Sequence, residues 1–179
     1  ARRAHESAAI AAARAAFMAG FDATSNLEAG RSWGIPTMGT SAHSFTLLHD
    51  SEKEAFEAQI ASMGPDTTLL VDTYEITAAV KMAVELTGGK VSAVRIDSGD
   101  LGSTAVEVRR QLDDLGAKQT KIVVTSDLDE YTIAALAAAP VDRFGVGTSL
   151  VTGSGHPTAG FVYKLVAHTD GAEWTEVAK

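Results

Sequence analysis

Apolar runs and helix-forming stretches alternate along most of this 179-residue chain, and that alternation constrains its fold more than any other feature. Short apolar runs are expected as strands at 68–72 (TLLVD), 91–96 (VSAVRI), 121–125 (KIVVT) and 142–146 (DRFGV). Helices are expected after the first three, over 76–86, 103–115 and 129–138. An earlier strand candidate, IPTMGT at 35–40, is weakened by Pro36, which has no N–H for a ladder, and precedes a helical stretch at 51–62. The runs recur roughly every 22 to 32 residues, the repeat of βα units. They are apolar on both faces, as in a parallel sheet covered by helices.

The remaining segments fit less regularly. Ala-rich residues 4–19 favour a helix that stops at Gly20, and 22–34 reads as loop with one helical turn. Two strand-like runs, 160–168 and 172–178, break the rhythm at the end. About five βα strands are visible, whereas a complete (β/α)8 barrel has eight in about 250 residues. The pattern therefore allows an open α/β sheet or most of a barrel. Neither a GxGxxG after the first strand nor a GxxxxGK[ST] phosphate loop is present.

Composition removes whole classes of function. The chain has no cysteine, so disulfide scaffolds, Cys-ligated zinc and cysteine nucleophiles are excluded. Its net charge of −8, without a dense Lys/Arg run, argues against nucleic-acid binding. No apolar run approaches the ~20 residues of a membrane helix. With 45% hydrophobic and 21% charged residues the chain can build one real core, and absent cysteine is compatible with a cytoplasmic location. The chain opens on Ala1-Arg2-Arg3 without an initiator Met and stops in a strand-like run, so it is expected to be a piece of a longer polypeptide.

Polar residues gather just beyond each apolar run. Ser41, His43 and Ser44 follow 35–40; Asp72, Thr73 and Tyr74 end the next run. Arg95, Asp97, Ser98, Gly99 and Asp100 close the third, Ser126, Asp127 and Asp129 the fourth, and Gly147, Thr148 and Ser149 the fifth. The carboxyl ends of strands build the sites of both barrels and open α/β sheets. FGVGTS (144–149) and IDSGDLG (96–102) offer small residues, N–H groups and hydroxyls suited to phosphate, and equally suit ordinary tight turns. His43 stands out among the five histidines by position; His5, His49, His156 and His168 read as surface or core residues. No histidine spacing fits zinc. Mg2+ held mainly by substrate phosphates needs one or two carboxylates, with Asp72, Asp97, Asp100 and Asp127 as candidates for that role or for helix caps. Arg95 near a strand end needs an anionic partner, either a ligand or a neighbouring aspartate. Lys121 lies at the wrong end of its strand for a Schiff base.

Seven motifs in one order now carry a family resemblance: GFDATSNLEAG (20–30), GIPTMGTSAHSF (34–45), TLLVDTY (68–74), VRIDSGDL (94–101), SDLDEYTI (126–133), FGVGTSLVT (144–152) and VYKLV (162–166). Together with Arg2-Arg3-Ala4 they closely resemble nicotinate phosphoribosyltransferase. The resemblance implies an irregular TIM-like (β/α) barrel, with residues 1–179 as the central portion of that one domain and its N- and C-terminal parts absent. It implies transfer of phosphoribose from phosphoribosyl pyrophosphate to nicotinate, giving nicotinate mononucleotide and pyrophosphate. ATP hydrolysis would be coupled through a phosphohistidine, with Mg2+ assisting, in a homodimer.

By motif, His43 is the phosphorylated residue. Arg95 would hold the nicotinate carboxylate or lie beside it, and Asp97 would bind ribose hydroxyls. Gly145, Gly147 and Thr148 would cradle the 5′-phosphate with Ser98 and Gly99, while Arg2 and Ser44 would lie near the substrates. Two other readings use the same residues: a phosphosugar isomerase or aldolase barrel, and a non-catalytic structural fragment.

Overall fold

The computed structural model describes residues 3–153, 160 and 162–178. These fall into two compact units, one of residues 1–39, 127–129 and 146–162, the other of 40–126, 130–145 and 163–179.

The second unit holds the sheet. Strands β1 (Thr68–Leu70), β2 (Ala93–Ile96), β3 (Lys121–Thr125) and β4 (Arg143–Gly145) lie in that order, every neighbouring pair parallel. The observed fold is thus α/β with a four-stranded parallel sheet. Helix α5 (Ile76–Leu86) connects β1 to β2, and α6 (Leu101–Asp114) connects β2 to β3. A short helix, Glu130–Ala135, with a 3-10 turn over Leu136–Ala138, follows β3. Leu69, Leu70, Val94, Ile96, Ile122 and Val124 are fully buried, as continuous apolar runs in a covered parallel sheet must be. Each contributes about 1.5–3 kcal/mol by leaving water. Ala79, Val80, Ala83 and Val84 bury one face of α5, and Ala105, Val108 and Leu112 one face of α6.

Local signals explain most boundaries. The Ser51 hydroxyl accepts from the Glu54 N–H and opens helix α4, Glu52–Met63. Both Glu75 carboxylate oxygens accept from the first turn of α5, and Asp100 accepts from Ser103 at the start of α6. That cap moves the start of α6 to Leu101, two residues before the expected helix. In the same unit α3 (His43–Leu47) is a helix that the sequence pattern does not announce, and the last two runs shrink to an antiparallel pair, β5 (Ala167–Thr169) and β6 (Trp174–Glu176).

The first unit contains α1 (Glu6–Met18), α2 (Leu27–Trp33) and α8 (Thr148–Thr152); the Glu130–Ala135 helix is α7. His5 caps α1, its Nδ1 accepting from the Ser7 N–H, and Asn26 caps α2. The expected strand at 35–40 is not a strand: it makes one parallel bridge, Thr24 to Thr37. Pro36 keeps its carbonyl in that bridge but has no N–H to extend it.

Candidate active site

The carboxyl ends of β1, β2 and β3 carry a connected polar cluster. The parallel register pairs Leu70 with Arg95, Arg95 with Val123 and Thr125 with Gly145, which brings Asp72, Asp97 and Thr125 to one edge.

Arg95 is its hub. Nε donates to Thr125 Oγ1 at 2.8 Å, and one terminal nitrogen donates to Thr40 Oγ1 at 2.5 Å and the Ser41 carbonyl at 3.5 Å. The other donates to Asp97 Oδ1 at 2.8 Å. Four of the five N–H groups of the guanidinium are therefore engaged by protein acceptors. The expected need of Arg95 for an anionic partner is met within the chain by Asp97.

Asp97 Oδ1 also accepts from the Thr125 hydroxyl, and its backbone N–H donates to Asp72 Oδ2 at 3.0 Å. Burial pushes the Asp97 carboxyl up, but hydrogen bonds from His43, Thr125 and Arg95, with the Arg95 charge, outweigh it and hold Asp97 well below the usual carboxylate range. Asp97 is an anion at neutral pH.

Asp72 lies deeper. Its Oδ2 accepts from the Asp97 N–H and from Ser98 Oγ at 2.5 Å, whereas its buried Oδ1 has no hydrogen-bond partner. That oxygen is 3.7 Å from His43 Nε2, which lies at the same distance from Asp97 Oδ2. Nδ1 of His43 meets Thr73 Oγ1 at 3.2 Å. The imidazole is 20% exposed, enough to be reached from solvent. Two carboxylates at Nε2 favour the ring proton there, which leaves Nδ1 as the basic nitrogen beside a hydroxyl.

The sequence pattern passed over three residues that belong to this description. Glu52, in the first turn of α4, is 9% exposed, and its Oε1 is buried without a partner. Burial, then the charges of Glu75 and Asp72, push its carboxyl up to about 7. In SEKEAFEAQI it reads as one charge of a solvated face. Thr125 reads only as a strand end, and Gln59 as an ordinary helix residue; both bond residues of the cluster.

The other expected site residues divide clearly. Ser98 joins the cluster through Asp72, and Gly99, at φ 80°, takes the left-handed backbone that follows it. Ser44 is half-buried on α3. Gly145 faces Thr125 so closely that a Cβ there would collide with Thr125 Cγ2, which gives this glycine a packing reason. Gly147 and Thr148 lie in the other unit, at the start of α8, and an added Cβ at Gly147 meets open space. Arg2 and His156 lie outside the described residues. Asp100 is the helix cap of α6, and Asp127 pairs with Arg3 at 2.7 Å in the first unit. Lys121 pairs with Asp142 at the amino end of β3, away from the cluster. His49 bonds the Phe45 carbonyl and packs on its ring.

A family model described as the nicotinate phosphoribosyltransferase (NAPRTase) family matches residues 1–179. The chain is 58% identical over 173 residues to nicotinate phosphoribosyltransferase pncB1 of Mycobacterium tuberculosis, covering 92% of this chain and 39% of that protein. To pncB2 of the same organism it is 49% identical over 184 residues, with 98% and 39% covered. Among solved structures, nicotinate-nucleotide pyrophosphorylase from Pyrococcus furiosus superimposes with a TM-score of 0.76 at 30% identity, over 84% of this chain and 40% of that one. The chain thus spans about two fifths of the length of these relatives.

Proposed function

The chain belongs to the nicotinate phosphoribosyltransferase family, and on that premise we propose that it is the central portion of one irregular (β/α) barrel domain whose parent transfers phosphoribose from phosphoribosyl pyrophosphate to nicotinate. The products are nicotinate mononucleotide and pyrophosphate. The observation that carries this reading is the placement of His43 between Thr73 on one ring nitrogen and Asp72 and Asp97 on the other.

That placement suits phosphoryl transfer from ATP to His43. Asp72 and Asp97 fix the tautomer, Nδ1 attacks the γ-phosphorus, the bond to ADP breaks, and hydrolysis of the resulting phosphohistidine returns the free imidazole. Phosphoribosyl transfer itself develops positive charge on the ribose as pyrophosphate departs. The ionised Asp97 is suited to ribose hydroxyls and to that charge. Arg95 has one N–H beyond its protein bonds, so it lies beside the nicotinate carboxylate and offers a single donor. The 5′-phosphate is assigned to Gly145, Gly147 and Thr148 with Ser98 and Gly99, and Arg2 and Ser44 to the substrate surroundings.

Among the described residues no group of three or more His, Asp or Glu is arranged to hold a metal ion. The donors present fit an ion that keeps most of its ligands on phosphate oxygens, so Mg2+ is assigned to the substrates, where it supplies charge neutralisation. A homodimer of the parent completes the reading. Among the described residues, no helix is long and apolar enough to cross a membrane.

The full-length parent, incubated with γ-labelled ATP, is expected to carry acid-labile, base-stable phosphate. His43→Ala is expected to carry none. Equal labelling of the two proteins removes His43 from this role, and turnover of a phosphosugar without any pyridine base favours the isomerase or aldolase reading instead.

A further inference from the structure

We propose that Gln59 is a positioning residue, which acts through Ser41 to set where the His43 imidazole stands. Gln59 lies on α4 and is 4% exposed. A buried amide is costly unless both its ends are bonded, and here both are. Oε1 accepts from Ser41 Oγ at 2.7 Å, while Nε2 donates to Thr67 Oγ1 at 2.9 Å and to the Thr68 carbonyl at 2.8 Å. One side chain therefore staples the segment that leads to His43 onto the first residue of β1.

Burial of Thr46 and Leu47 holds the far end of that segment, and hydrogen bonds hold its start. Helix α3 begins at His43, is five residues long, and its cap residue Ala42 makes no side-chain cap bond. So short a helix does not fix its own position. The anchors of residues 40 and 41 are Gln59 on one side and Arg95 on the other, which bonds the Thr40 hydroxyl and the Ser41 carbonyl. Two residues further on, His43 must keep Nε2 within 3.7 Å of both Asp72 and Asp97. A misplacement of about 1 Å at a reacting group costs on the order of a hundredfold in rate. The staple also explains the residue type. Glutamate has the shape of glutamine but no donor for the Thr68 carbonyl, and it would bring a buried charge.

This inference rests on the phosphohistidine reading for its kinetic arm only. In the full-length parent, Ser41→Ala is expected to slow labelling of His43 by about tenfold or more at saturating ATP. The apparent KM for ATP stays within about twofold, and Ser41→Thr, which keeps the hydroxyl, restores the rate. The second arm needs no activity. In protein labelled with 13C,15N-histidine, Ser41→Ala and Gln59→Glu are expected to shift the His43 ring signal, assigned by its loss in His43→Ala, and to leave the signal of His168, on β5, in place. A His43 signal that stays put in Ser41→Ala, with wild-type labelling kinetics, overturns the proposal. If wild type takes no label, the phosphohistidine reading fails and the ring signal alone decides the positioning role. If Gln59→Glu does not fold, Ser41→Ala decides it.

Discussion

The two ends of the same four strands are built from similar residues but use them differently. At the amino ends, polar side chains mainly satisfy the main chain, although Asp142 also pairs with Lys121 and Arg109 with Asp113. Thr120 Oγ1 donates to the Val91 carbonyl, Arg109 donates to the carbonyls of Thr120 and Ala117, and Asp142 accepts from the Ile122 N–H. At the carboxyl ends, side chains mainly bond one another: Arg95 to Asp97, Thr125 and Thr40, Ser98 to Asp72. There too one carboxylate oxygen of Asp72 is left buried without a partner. A polar group that closes a backbone bond completes the fold, whereas one held only by other side chains, with capacity unspent, is available to a visitor. Composition does not separate the two ends, but the identity of the bonding partner does.

Substitutions sharpen the contrast, starting with the largest expected effect. Arg95→Lys replaces a planar fork with a point charge, which cannot keep the bonds to Thr125, Thr40, Ser41 and Asp97 together. It is expected to lower kcat/KM of the parent by at least about a hundredfold, measured by nicotinate mononucleotide formation. Near wild-type turnover would mean that the hub is dispensable.

Gly145→Ala comes next, because the new methyl pushes Thr125 out of the ladder and away from Asp97 and Arg95. The expected loss of stability is about 1–3 kcal/mol in urea unfolding, together with lower activity.

Glu52 gives a pH test. Its folded pKa, about 7, lies above the ordinary value of 4.5 that applies to the unfolded chain. Its contribution to stability is thus fully present below about pH 4.5 and is lost as the pH rises through 7. Glu52→Gln is expected to match wild type near pH 4.5 and to exceed it by about 1–2 kcal/mol at pH 8. Parallel stability curves for the two proteins would remove the buried-acid assignment.

The smallest effect belongs to the amino ends. Thr120→Val should cost about 1 kcal/mol of stability and leave kcat/KM unchanged. A drop in turnover there would break the distinction between the two ends.

Much of this contrast was legible in the amino-acid string. TLLVD and KIVVT read as buried strands because apolar continuity of that kind has few other uses, and the strand-end aspartates and Arg95 followed from their positions. Asp100 as a cap and Lys121 at the wrong end were also readable. What stayed hidden depended on contacts between distant segments. Helix α3 has no capping side chain to announce it, and the strand expected at 35–40 had only Pro36 arguing against it. Glu52 and Gln59 sit in a stretch whose charge pattern looks solvated, and only the packing of α4 reveals that both are buried. The roles proposed for Gly147 and Thr148 rest on the resemblance, whereas local chemistry alone left that loop equally suited to a plain turn.

The saturation of Arg95 has a consequence for how any anion is received. With four of its five N–H groups already satisfied, this guanidinium can take a bidentate guest only by releasing an existing neighbour. A guest that takes only the remaining N–H leaves every neighbour in place, whereas a bidentate one exchanges partners, and the released hydroxyl, carbonyl or carboxylate becomes free at the moment it arrives. The arrival of one molecule can in this way retune the groups that meet the next.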